Sequence, residues 1–142
     1  MSLHLIKLCV GCDSVADLED WIKLKLKEKK RRGQKAEHIH TTRMVPKRAA
    51  ELIEGGSLYR VFKGVILCRQ PILEVNTVGQ GVTARCEVTL DPEPIRVAPT
   101  PRRAFQGWRY LDPKDAPPDL PQDTFGDIPT ELARQLREVG AW

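Results

Sequence analysis

No stretch of this sequence approaches the ~20 apolar residues that a membrane-spanning helix requires, so no membrane partner is expected. The opening residues, Met1 to Leu8, lack the positive start, continuous apolar run and small-residue cleavage site of a signal peptide, and read as a strand instead. Cysteine is sparse, with four residues, and without an export signal these point to free thiols in a reducing compartment, the cytoplasm by default. Enzyme signatures are missing as well. There is no Walker-type phosphate loop, no G-x-G-x-x-G, no H-E-x-x-H and no G-x-S-x-G. Asp112, Asp115, Asp119, Asp123 and Asp127 recur in a proline-rich setting that suits a solvated loop better than paired catalytic carboxylates. Catalysis would have to be assembled from scattered groups such as His40, Arg43 and Glu74. The reading leans away from an enzyme and calls for no cofactor.

What is present fits a single domain spanning residues 1–142. A chain near this size buries roughly two-thirds of the surface it exposes unfolded, enough for its own core. Hydrophobic residues make up 41% and charged residues 30%, which argues against wholesale disorder. The net charge of +4 hides a gradient. Residues 1–60 carry 13 Lys and Arg against 8 acids, and residues 101–142 carry 6 against 7. An anion-seeking surface should therefore draw mainly on the N-terminal half.

Residues 3–10 read as a first strand. Ser14 with Asp17 has capping-box spacing, and Val15, Leu18, Trp21, Ile22 and Leu26 then recur at helical intervals. That pattern dissolves into a basic helix end or loop over residues 23–36, with Gly33 as the expected stop. Residues 37–43 read as a short strand, and Pro46 suits the first position of a second helix that Gly55 and Gly56 would end. Leu58–Phe62 and Val65–Val75 read as strands around a bend at Gly64, with Pro71 implying an edge or bulge. Val82, Ala84, Cys86, Val88 and Leu90 alternate with polar residues, the clearest half-buried antiparallel strand in the chain. Ile95–Val97 adds a short strand. A Pro- and Asp-rich surface loop follows over 112–128, and Pro129 opens a last helix carrying Leu132, Leu136 and Val139. The expected fold is α+β, a mostly antiparallel sheet flanked by two or three helices.

The run from Thr41-Thr42-Arg43-Met44-Val45-Pro46 through Phe62-Lys63-Gly64-Val65-Ile66, with Arg103-Ala104-Phe105-Gln106-Gly107-Trp108-Arg109-Tyr110-Leu111, resembles a family of uncharacterised alphaproteobacterial proteins of about this length, a domain of unknown function. That resemblance implies a source class and a cytoplasmic setting, and no activity. In its order of elements the chain is also similar to the PUA-like superfamily, small β-barrels that often bind RNA; this likeness implies a PUA-like β-barrel as the candidate architecture.

Three groups of residues are candidates for function. Lys23, Lys25, Lys27, Lys29, Lys30, Arg31, Arg32 and Lys35, opposed only by Glu28, could lie along phosphates; they equally suit a solvated helix end. Thr41, Thr42, Arg43, Lys47 and Arg48 surround the expected start of the second helix, where free N–H groups would favour an anion. Arg102, Arg103, Phe105, Gln106, Trp108, Arg109 and Tyr110 interleave cations with rings that could stack a base, or could bury as a core stripe. The leading expectation is a non-enzymatic domain binding RNA or single-stranded nucleic acid through Thr41, Thr42, Arg43, Lys47, Arg103, Gln106, Trp108, Arg109 and Tyr110. The alternatives are an enzyme or sensor for a small anionic metabolite or nucleotide, and a protein-interaction module. Cys9 and Cys12 could meet His38 and His40 around a metal, but the default is no metal, since a structural zinc site usually uses paired knuckles. Oligomeric state is not encoded in any recognisable feature.

Overall fold

The computed structural model describes residues 3–43, 45–103, 105 and 107–120. The expected last helix from Pro129, the part of the acidic loop beyond Leu120, and Gln106 lie outside the described residues.

The first strand, β1, covers His4–Leu8. The helix α1 (Val15–Arg31) follows it, and Ser14 caps the helix start. The Ser14 hydroxyl accepts the Asp17 N–H at 3.2 Å. In return Asp17 accepts from the Asp13 N–H at 3.1 Å, one residue earlier than in the usual capping box. Val15, Leu18 and Ile22 are buried. Trp21 does not join them. It lies one position from Ile22, about 100° round the helix, and is 45% exposed.

After β2 (His38–Thr42) comes α2 (Ala49–Ile53). Pro46 was expected to open this helix; it precedes it, and the helix begins at Ala49 with Arg48 at the cap position, its guanidinium paired with Glu51 rather than capping the helix. Gly55, at φ 85°, and Gly56 then reverse the chain. A Cβ on Gly56 would overlap the carbonyl oxygens of Leu3 and Leu52, so only glycine fits there.

The strands β3 (Ser57–Phe62) and β4 (Val65–Val78) form a hairpin. Lys63 and Gly64 take φ of 47° and 86°, the paired positive values that a two-residue turn of matching twist demands. β5 (Arg85–Leu90), β6 (Ile95–Pro101) and β7 (Trp108–Leu111) complete the described strands. Cys86, Val88 and Leu90 are buried as their alternation implied. Val82, expected in the same strand, sits in a short 3-10 turn over Gly81–Thr83 and is 97% exposed.

The strand order is β2-β5-β4-β3-β1-β7, with β6 pairing β4 off that path. Only the β1–β3 pair is parallel among these ladders; the rest are antiparallel. β4 organises the sheet. Its first half pairs with β3 and β6, and Ile72–Val78 pairs with β5. A register shift between Ile72 and Glu74 marks the changeover, next to Pro71, which has no N–H to donate. The result is an α+β fold with a mostly antiparallel mixed sheet. It is not the closed barrel of the PUA-like expectation. A barrel requires the terminal strands to share a ladder, whereas among the described residues β2 and β7 pair only with β5 and β1 respectively.

Side chains alternate along strands, so register fixes what shares a face. Lys7 is the cross-strand partner of Arg60 on one side and of Trp108 on the other. Leu5, Leu58, Ile72, Cys86, Val88 and Leu90 form the apolar core of this face, with Leu52 of α2 against them. A second apolar cluster packs Val15, Leu18 and Ile22 of α1 on Phe62, Val65 and Leu67.

Candidate functional site

β1 gives way at Cys9 to a tight turn in which Gly11, at φ 83°, doubles the chain back toward α1. Cys9 and Cys12 are therefore held between sheet and helix. Arg60 stands in the middle of β3, a strand whose six residues are all buried. These elements, with β2, enclose a cleft of about 230 Å³ lined by Lys7, Cys9, Cys12, Trp21, His38, His40 and Arg60 among others. In strand order β2 is well removed from β1 and β3. Curling of the sheet around its shared face brings their side chains together.

Arg60 is 7% exposed. Its Nη2 donates to Cys9 Sγ at 3.4 Å, while Nε and Nη1 are buried without a hydrogen-bond partner. Among the described residues no carboxylate pairs with it. His40 Nε2 is likewise buried and unpartnered. Of the four such side-chain atoms among the described residues, three lie in this cleft, the other being Gln70 Oε1. Buried polar atoms in native folds are nearly always satisfied, so a concentration of this kind marks a site rather than scatter.

The electrostatics follow from burial and crowded cations. Burial, then Arg60, Lys7 and His38, push the His40 pKa down to about 3. Burial, then Arg60 and Lys29, push that of His38 down to about 4. Lys7 is held below its ordinary value by burial and by Arg60. Burial, then the charge of Cys9 and a hydrogen bond to it, push the Cys12 thiol up to about 12, while Arg60 pulls the other way. At neutral pH the cleft thus holds two neutral imidazoles beside a guanidinium with no counter-charge. An unpaired charge taken out of water costs several kcal/mol. The natural occupant is an anion. The planar fork of Arg60 matches a carboxylate or phosphate edge, and His40 Nε2 supplies a further polar contact. Trp21 meets His38 edge-on, with ring centres 5.7 Å apart, and so belongs to both helix and cleft wall.

Cys9, Cys12, His38 and His40 do converge on this cleft. Among the described residues, however, no three His, Cys, Asp or Glu side chains are grouped to hold a metal ion, and Arg60 stands in their midst and would repel one.

The residues expected to form an anion-binding surface are divided between two edges of the sheet. Thr41 and Thr42 belong to β2, with exposed Arg43 just beyond it. Trp108, Arg109 and Tyr110 belong to β7, at the other end of the strand order. The segment before α2 does meet β7, through Arg48: its N–H donates to the Tyr110 hydroxyl at 3.2 Å and its guanidinium lies 5.6 Å from the ring centre. Lys47 is exposed beside it. The Trp108 and Tyr110 rings pack edge-to-face at 5.0 Å and are partly buried against the core. Arg109 lies over Phe105, and Arg103 is exposed. Lys23, Lys27, Lys30, Arg31, Arg32 and Lys35 are exposed along and after the second half of α1, whereas Lys29 is half-buried with its Nζ on the Glu37 carbonyl oxygen.

Arg60 and Lys7, the cations that define the cleft, were missed in the sequence. The signal for Arg60 was there: a charged residue at the centre of Leu58-Tyr59-Arg60-Val61-Phe62, where every neighbour is apolar or aromatic.

Fold and cleft together define an α+β domain whose open, curled sheet buries an uncompensated cation. The chain belongs to the family described as protein of unknown function DUF1489, matched over residues 5–142. No curated protein and no solved structure matches it.

Proposed function

We propose that this chain is a cytoplasmic binding domain for a small anion, or for the anionic end of a small metabolite, held by Arg60. The observation that carries this reading is the guanidinium of Arg60, buried on β3 with two nitrogens unpartnered and facing a cleft. Lys7 adds positive charge, and His40 Nε2 adds a directional contact. The volume of about 230 Å³ is below the usual range for drug-sized ligands, which favours a phosphate, a small carboxylate or one phosphorylated group over a whole dinucleotide.

Thermal unfolding with inorganic phosphate, sulfate and short dicarboxylates tests this directly. An anion at 100 times its dissociation constant should add about 2.7 kcal/mol of stability, read as a rise in Tm. Chloride at equal ionic strength serves as the control. Equal Tm in all of these salts would refute the reading.

Nucleic acid remains the second reading, supported by the exposed cations of α1. It draws less from the rings, since Tyr110 is covered by Arg48 and Trp108. Anisotropy with mixed RNA at two salt concentrations separates the readings, because phosphate-backbone contacts weaken steeply with salt.

A further inference from the structure

We infer that Cys9 and Cys12 form a reversible dithiol–disulfide pair, and that its oxidation frees Arg60 to hold an anion more tightly. The second half rests on the anion reading above; the first does not.

The two sulfurs face the same cleft from one turn, separated by Val10 and Gly11. The Cys12 thiol hydrogen-bonds to Cys9, and Arg60 Nη2 donates to Cys9 Sγ at 3.4 Å. A thiolate at Cys9 therefore meets a charged donor on one side and a thiol on the other, the arrangement of an attacking and a resolving cysteine. Cys68 and Cys86 are buried in the apolar clusters.

With a small-molecule disulfide as oxidant the chemistry closes. The Cys9 thiolate attacks one sulfur of the disulfide, forming a mixed disulfide and expelling one thiolate. Cys12 then gives up its proton and attacks Cys9 Sγ, and the second thiol leaves carrying that proton. The negative charge on Cys9, one cause that holds the Cys12 proton in place, has by then gone, while Arg60 still favours the Cys12 thiolate. Two electrons pass from the cysteine pair to the small disulfide, which is reduced to two thiols. In the product Cys9 Sγ is a disulfide sulfur, a weaker acceptor for Arg60 Nη2 than the free cysteine it replaces.

The experiment uses the full chain and hydroxyethyl disulfide, small enough to enter the cleft. After acid quenching, denaturation and alkylation, peptide masses should show Cys9 joined to Cys12, with Cys68 and Cys86 alkylated. Cys12→Ser should instead accumulate a hydroxyethylthio adduct on Cys9. Cys9→Ser should react at Cys12 at least roughly tenfold more slowly. Absence of the joined pair, or an adduct in Cys12→Ser that falls on Cys68 or Cys86, overturns the redox pair. Phosphate titrations of both redox forms complete the test, with severalfold tighter binding expected after oxidation. Equal affinity in the two forms overturns the coupling. Disulfide formation with phosphate binding to neither form would leave the redox pair standing and remove the anion reading together with the coupling that rests on it.

Discussion

Arg60 occupies a strand position that leaves it only 7% exposed, and among the described residues no acid answers it. A residue kept in that state lowers stability, so neutral substitution should raise it. Arg60→Met keeps much of the volume and removes the charge. It is expected to stabilise the ligand-free chain by about 1–4 kcal/mol in urea melts while abolishing any phosphate-induced rise in Tm. Loss of stability in this variant would mean that the guanidinium serves the fold. The histidines make a separate prediction about acid. Both stay neutral in the folded chain well below 6.5, to about 4 for His38 and about 3 for His40, because burial and nearby cations oppose the proton. Unfolded histidine takes up that proton near 6.5, so the unfolded chain binds more protons as pH falls below this value. Stability should decline through that window, by up to roughly 1.4 kcal/mol per pH unit for each imidazole. Denaturation midpoints measured from neutral pH down to about 4 should show the slope, and the double variant His38→Gln, His40→Gln should flatten it.

At the scale of elements, start and stop signals carry much of the structure. Ser14→Ala removes the acceptor for the Asp17 N–H and should cost about 1 kcal/mol, read by thermal melting. Gly56→Ala forces a Cβ into the carbonyl oxygens of Leu3 and Leu52; a loss of about 3 kcal/mol or more is expected from the same measurement. These elements were legible because their signals are local. The cap at Ser14, the stop at Gly55-Gly56 and the alternation of Cys86, Val88 and Leu90 each depend on residues within a few positions. The misplacements have a shared cause. Trp21 looks like part of an apolar stripe until the sheet decides which side of α1 it covers. Val82 fits the alternation that follows it, but the glycines on either side of Gln80 bend the chain so that the strand begins three residues later. Pro46 could open a helix, yet α2 starts only where Leu52 reaches the core.

At the scale of the molecule, the fold class was legible and the site was only half so. The four residues Cys9, Cys12, His38 and His40 could be named from pattern, because pairs at short spacing stand out. Their meeting with Arg60 and Lys7 depends on how far the sheet curls, a long-range property that no local spacing records. The segment after β7 is another long-range attachment. Arg69 grips Asp119 through two bonds of 2.8 Å and reaches Ser57 Oγ at 2.7 Å, while Ala98 and Leu120 N–H groups bond across to Pro118 and Arg96 carbonyls. Asp119→Ala should loosen this attachment, with faster hydrogen exchange at the Ala98 and Leu120 amides and about 1 kcal/mol less stability. Exchange unchanged at those amides would show that the backbone bonds suffice. β4, finally, runs beneath both walls of the cleft. Its first half pairs with the strand bearing Arg60, and its second half with β5, which carries the strand bearing the imidazoles. Between them lie the shifted register and Pro71, which has no N–H to give the ladder. One continuous strand thus underlies both walls, so the span between guanidinium and imidazoles is set by how β4 bends as it passes Pro71.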